Sequence, residues 1–141
     1  VNEMAIVAPF SDVEWIRRDL PSITEEDMRD DDVLKAIEDG DLCVKDDLSG
    51  MVDWTTLSTL PEAIRRLSHY KACELVVLRV ISNAAVITQE NALVTYWSTQ
   101  YENLKKNIYT GKVRLISSTG TALDEEGEGV TRTYPPIGRV I

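Results

Sequence analysis

Residues 88–111, TQENALVTYWSTQYENLKKNIYTG, decide the fold of this chain. Leu93, Trp97, Tyr101, Leu104 and Ile108 recur in steps of four, four, three and four, the spacing of one face of an α-helix. Tyr96 widens that face. Thr88-Gln89-Glu90 is a helix start, and Lys105 and Lys106 put positive charge in the last turns, where the helix dipole favours it. Gly111 supplies the stop, because a residue just past a helix end commonly needs the backbone freedom of glycine. Start, stripe and stop agree, and the stretch is a core-facing helix.

Upstream of it, Thr59-Leu60-Pro61-Glu62 opens another helix, with proline at or near the first helical position. This helix runs through Ile64, Leu67, Ala72, Leu75, Val76, Leu78 and Val80 and turns apolar on nearly all sides toward its end, as a helix buried on more than one side does. Residues 49–60 have no clear period and read as a loop, with Trp54 packed over the core as a lid. Val33, Leu34, Ile37, Val44 and Leu48 form a helical stripe over about 31–47, interrupted by Gly40, where the helix either continues or stops. Ser11 reads as the N-cap of a short helix over 12–19, ended by Pro21, and Thr24-Glu25-Glu26-Asp27 repeats the start signal.

After Gly111 the rhythm changes. Residues 112–117 read as a strand, 118–129 as a polar loop with three glycines and four acids, and Val130 to Tyr134 as a possible second strand. Pro135-Pro136-Ile137-Gly138-Arg139-Val140-Ile141 is an extended, proline-stiffened end that reads as an arm docking on a partner, a disordered tail being the alternative. The expected architecture is therefore mainly α: a small bundle of about four helices over 1–117, then an extended C-terminal arm over 118–141 with β character. The arm's candidate partner-binding residues are Val130, Tyr134, Pro135, Pro136, Ile137, Val140 and Ile141.

At 141 residues the chain can bury a core without metal or disulfide staples. Its net charge of −9 makes nonspecific nucleic-acid binding a poor expectation, since an acidic surface repels phosphate. The charge is unevenly placed: residues 1–58 hold 16 acids against 5 bases, whereas residues 59–117 hold 4 against 8. A dipolar molecule of this kind can associate head to tail; the simpler reading is a helix with acids on a solvated face. Arginine exceeds lysine, 9 to 6, and with the acid surplus this fits a protein of a salty interior, a halophilic host. No apolar run approaches a bilayer span, and Val1 to Phe10 lacks the pattern of a secretory signal, so no membrane association is expected.

Groups able to do chemistry are few. The single histidine, His69, has Glu62 and Glu74 at unsuitable offsets for a shared metal and reads as a partly exposed helical residue. Cys43 and Cys73 lack any CxxC spacing and read as reduced core residues, a disulfide between them being the alternative. The acids of 25–32 lack the central glycine and twelfth-position glutamate of an EF-hand loop. Phosphate-binding loops and nucleophile elbows are absent. The expectation is no catalytic residue, no cofactor and no metal. A carboxylate-only enzyme would have Glu74 as its one candidate, and partial burial against Arg or Lys is the simpler account of it.

The order of elements, with Tyr101, Leu104, Ile108, Gly111, Lys112 and Leu115 at the exit of the last helix, resembles the head–tail connector (adaptor) proteins of tailed viruses. Leu60-Pro61-Glu62-Ala63-Ile64 with Ala72-Cys73-Glu74-Leu75 is similar to that family's third helix. The resemblance spans roughly residues 11–116; Gly40 in the second helix and the length of the tail beyond Ser118 depart from the family pattern. It implies a structural subunit of a homo-oligomeric ring, usually twelvefold, seated under the portal protein in the virion and assembled in the host cytoplasm. Such a ring extends the DNA channel, with DNA only as passing cargo, and anchors the stopper, neck or tail protein. A neck or tail-completion protein, or an acidic helical regulatory or DNA-mimic protein, are the competing readings.

Overall fold

In the computed structural model of the chain, residues 9–52, 54, 60–83, 88–113 and 115 are described. They form four helices in the order α1 (Val13–Asp19), α2 (Asp30–Asp47), α3 (Glu62–Asn83) and α4 (Thr88–Tyr109). The mainly α bundle expected from the sequence is present. The arm residues Val130, Tyr134, Pro135, Pro136, Ile137, Val140 and Ile141 lie outside the described residues, as does all of 116–141. Of the strand expected over 112–117, Lys112 and Val113 form a bend instead, and no strand occurs among the described residues. The bend follows from the helix exit: Gly111, at φ 84°, turns the chain so that the Val113 N–H reaches back to the Asn107 carbonyl at 3.0 Å. Leu115 is then folded fully into the core.

α3 is the central element, packed on α2 along one side and on α4 along the other. The apolar side chains it shares with its neighbours form two clusters. One gathers Val44 of α2 and its C-cap Leu48, Ile64 and Leu67 of α3, and Tyr101, Leu104 and Ile108 of α4, with Phe10 and Leu115 closing it. The other gathers Ile16 of α1, Val33, Ala36 and Ile37 of α2, Ala72, Cys73, Val76 and Val77 of α3, and Trp97 of α4. Leu34, in the expected α2 stripe, is left half out at the surface, and Tyr96 is exposed rather than widening the α4 core face, its ring set edge-on to Trp97 at 4.9 Å. Trp54 stacks on Phe10 with ring centroids 6.1 Å apart, as a lid over the first cluster.

α2 does not stop at Gly40. A Cβ there would lie 3.2 Å from the Ala72 backbone nitrogen and 3.4 Å from the Ser68 carbonyl, so the glycine lets α2 approach the backbone of α3. What the sequence shows as a helix breaker is the closest point of a helix seam.

The start of α1 is also corrected. Its N-cap is Asp12, whose carboxylate accepts the Glu14 N–H at 2.7 Å, and Ser11 is turned inward and buried. Thr24 to Asp27 closes a turn, with Asp27 accepting from the Thr24 N–H, before α2 begins at Asp30. Arg17 ties this region together, donating to the carbonyls of Ile23 and Met28 and pairing with Asp30 at 2.8 Å. Cys73 is a buried free thiol as expected, whereas Cys43, also free, is only half-buried. Glu74 pairs with Lys71 at 2.9 Å, the simple account given of it above. None of the described helices is long and apolar enough to cross a membrane.

Candidate functional site: a cleft between α1 and α3

On α1, Trp15, Arg18 and Asp19 are spaced i, i+3, i+4 and share one face. On α3, Glu62, Arg65, Arg66, His69 and Tyr70 are spaced i, i+3, i+4, i+7, i+8 and share another. Where the two faces meet, these eight residues line a cleft of about 520 Å³. Three guanidinium groups face two carboxylates there, an excess of positive charge in a chain whose total is −9.

The groups are held in different ways. Arg65 is fixed: its Nη1 donates to the Phe10 carbonyl at 3.2 Å, its Nε lies 3.7 Å from Glu62, and its guanidinium sits 5.8 Å from the centre of the Trp15 ring. Arg18 is mostly exposed, and among the described residues its one ion pair is with its neighbour Asp19 at 3.6 Å. Arg66 is exposed and makes no ion pair among the described residues. Tyr70 leans on Trp97 at 5.9 Å, so the aromatic wall of the cleft continues into the core.

His69 forms the floor. It is buried, not partly exposed, and both ring nitrogens are engaged: Ser11 Oγ lies 2.8 Å from Nδ1 and Asp19 Oδ2 lies 2.6 Å from Nε2. The ring thus bridges the Ser11 hydroxyl and the Asp19 carboxylate, one partner on each nitrogen. The line Ser11–His69–Asp19 contains the residue types of a nucleophilic triad. Ser11, however, is buried and is not part of the cleft lining, so its hydroxyl is not offered to a substrate there. What the line does is bind both flanks of α1 to α3.

The same corner is where a metal could be held. Asp19, His69 and Cys73 place one ligand atom each within 4.8 Å of one another, and Cys73 Sγ is 3.6 Å from His69 Nε2. Burial pushes the Cys73 thiol well above its ordinary value, with Asp19 adding to the shift, so it keeps its proton at neutral pH. Nε2 of His69, which a metal would need, is engaged by Asp19 at 2.6 Å. The atoms as arranged are a hydrogen-bonded set.

Sequence reasoning missed this site because it followed the apolar positions of α3 and left the opposite face unread. The signal was available in the spacing of Glu62, Arg65, Arg66, His69 and Tyr70. That Ser11 and Asp19 would meet His69, 58 and 50 residues away, had no local signature. Compared with family models, curated proteins and solved structures, the chain finds no match among any of the three.

Proposed function

We propose that the chain is a structural adaptor subunit of a tailed virus, forming a ring beneath the portal at the head–tail interface of the virion. The observation that carries this reading is the order of four helices closing on Gly111 with thirty residues still to run, the order on which the resemblance to head–tail connectors rests. Three further features support it. Leu42 of α2, 64% exposed, and Tyr96 of α4, 52% exposed, are apolar surface that a neighbouring subunit would cover in a ring. The charge is segregated between the first and middle segments, as a two-faced ring subunit requires. An acidic wall lets DNA pass without gripping it.

In this reading the arm, 118–141, adds an extended segment to a neighbouring subunit or to the portal, gaining affinity from backbone hydrogen bonds. The test is electron microscopy of the full chain with its portal protein, and of a chain lacking residues 128–141. Rings seated on the portal are expected for the full chain. The shortened chain is expected to keep its helical circular dichroism and lose portal binding. Unchanged binding removes the arm from the proposal, and absence of any ring removes the adaptor reading itself.

A further inference from the structure

We infer that the cleft between α1 and α3 receives the acidic segment Glu25 to Asp32 of a second copy of this chain. The inference rests on the adaptor reading only for the closed form of the assembly; the contact itself is argued from charge and geometry.

The cleft offers what a carboxylate-rich segment needs. Arg18 and Arg66 project planar, five-donor groups that no other described side chain neutralises beyond the Arg18–Asp19 contact. Such forks match carboxylate geometry, and the flat walls of Trp15 and Tyr70 support both the guanidiniums and an incoming backbone. Arg65, already fixed by Phe10 and Trp15, contributes charge without further ordering cost.

The segment offers the complement. Within 25–32, Asp27 is used by the Thr24 turn and Asp30 by Arg17. Glu25, Glu26, Asp31 and Asp32 are exposed and make no ion pair among the described residues. They sit, with Arg29 among them, on a turn and the first turn of α2, held by backbone hydrogen bonds to the Thr24 and Arg29 carbonyls.

One chain does not bring Arg65 and Arg66 to its own acidic corner, although Arg18 lies nearer it, next to the Arg17 that pairs with Asp30 at 2.8 Å. α2 and α3 run antiparallel, since Gly40 meets Ala72 and Ser68, and Asp32 shares a cavity wall with Arg79 and Ser82. Arg65 and Arg66 lie thirteen or more residues back along α3, about 20–25 Å at 1.5 Å per residue. That is more than two Debye lengths, about 8 Å each, at physiological ionic strength. For Arg65 and Arg66 the attraction is therefore satisfied only between copies. A contact joining two different patches is heterologous, and it repeats from copy to copy, closing as a ring where the rotation allows and running on as a filament where it does not.

The experiment uses two charge-reversed full-length chains. One carries Arg18→Glu with Arg66→Glu, the other Asp31→Lys with Asp32→Lys; all four side chains are at the surface, and circular dichroism checks that each variant folds. Assembly is followed by sedimentation at low salt over a range of concentrations. The natural chain is expected to self-associate, and each variant alone to need about a hundredfold higher concentration, because like charges then face each other. Mixing the two variants is expected to restore association, since the lysine corner of one now fits the glutamate cleft of the other. Damage to folding is not rescued by mixing. A natural chain that stays monomeric throughout, a variant that assembles as the natural chain does, or a mixture that fails to recover overturns the inference. A chain that pairs in this way but does not bind the portal leaves the contact standing and removes the adaptor reading.

Discussion

Ser68 and His69 are consecutive on α3, yet they serve two different seams. The Ser68 hydroxyl donates to Asp41 of α2, whose other carboxylate oxygen accepts the Phe10 N–H at 3.0 Å; both Ser68 and Asp41 are almost wholly buried. His69 turns the other way, to Ser11 and Asp19 on either side of α1, and forms the floor of an open cleft. One polar group is sealed between long helices; its neighbour holds a seven-residue helix at the edge of a cavity. A buried polar group with partners on a long seam fixes the whole fold, whereas one at the rim of a short helix fixes a local shape that function can use. The comparison can be broken by removing each group in turn.

Asp41→Ala is expected to have the largest effect. It leaves the Ser68 hydroxyl and the Phe10 N–H buried without acceptors, and two such orphans cost about 3 kcal/mol in all. Urea unfolding should show the loss as a lower midpoint with a single cooperative transition. Asp41 also gives a pH signature. Burial pushes its carboxyl above the ordinary value of 3.8, against the hydrogen bonds from Ser68 and Phe10 and the charge of Lys45, which pull it down. A group whose proton is held more tightly in the folded state contributes stability that is fully present below its unfolded value. That contribution is lost as pH rises through the folded one. The stability of the natural chain relative to Asp41→Asn, which does not titrate, should therefore decline as pH is raised from below 3.8 toward neutrality. A difference that grows with pH would mean that Asp41 is held as a favoured carboxylate instead.

His69→Ala comes next, at about 1–2 kcal/mol for the loss of two hydrogen bonds, one of which leaves the buried Ser11 hydroxyl unpaired. The expected change is local. Hydrogen exchange should quicken in α1 and around Ser11, where the α3 staple is gone, and stay near its natural rate along the α2–α3 seam. Arg17 still anchors the α1 C-terminus to Ile23, Met28 and Asp30, so α1 should loosen rather than detach. Uniform acceleration through all four helices would erase the distinction between the two seams.

These contrasts show what a sequence carries on its surface and what it hides. The helices were legible because each has a periodic stripe: Trp97, Tyr101, Leu104 and Ile108 are all buried as the spacing requires. The Gly111 exit was legible because glycine there has one conformational reason, and its positive φ bears it out. Ser11 was misread because a serine before an acidic first turn has the local pattern of a cap, while the tertiary partner that claims it, His69, is 58 residues away. His69 itself was misread for the same cause. The cleft needs two helix faces to be superposed, and no one-dimensional period encodes which faces meet.

Gly40 is where these two kinds of legibility collide, and it gives the smallest and most discriminating prediction. By propensity alone, Gly40→Ala in the middle of α2 should stabilise the chain by about 1 kcal/mol. By packing, the new methyl would press at 3.2 Å on the Ala72 nitrogen, a backbone atom of a helix that cannot move aside while Asp41 holds Ser68 across the same seam. Overpacking of a fixed seam costs about 1–3 kcal/mol, which exceeds the propensity gain. The net expectation is a loss of about 1 kcal/mol, seen as a lower urea midpoint with unchanged slope. Gly50, with nothing within 4 Å of the position a Cβ would take, is the control, and Gly50→Ala should stay within about 0.5 kcal/mol of the natural chain. If Gly40→Ala stabilises instead, the seam yields, and the rigidity assigned here to the Asp41–Ser68 side of α3 belongs to neither side.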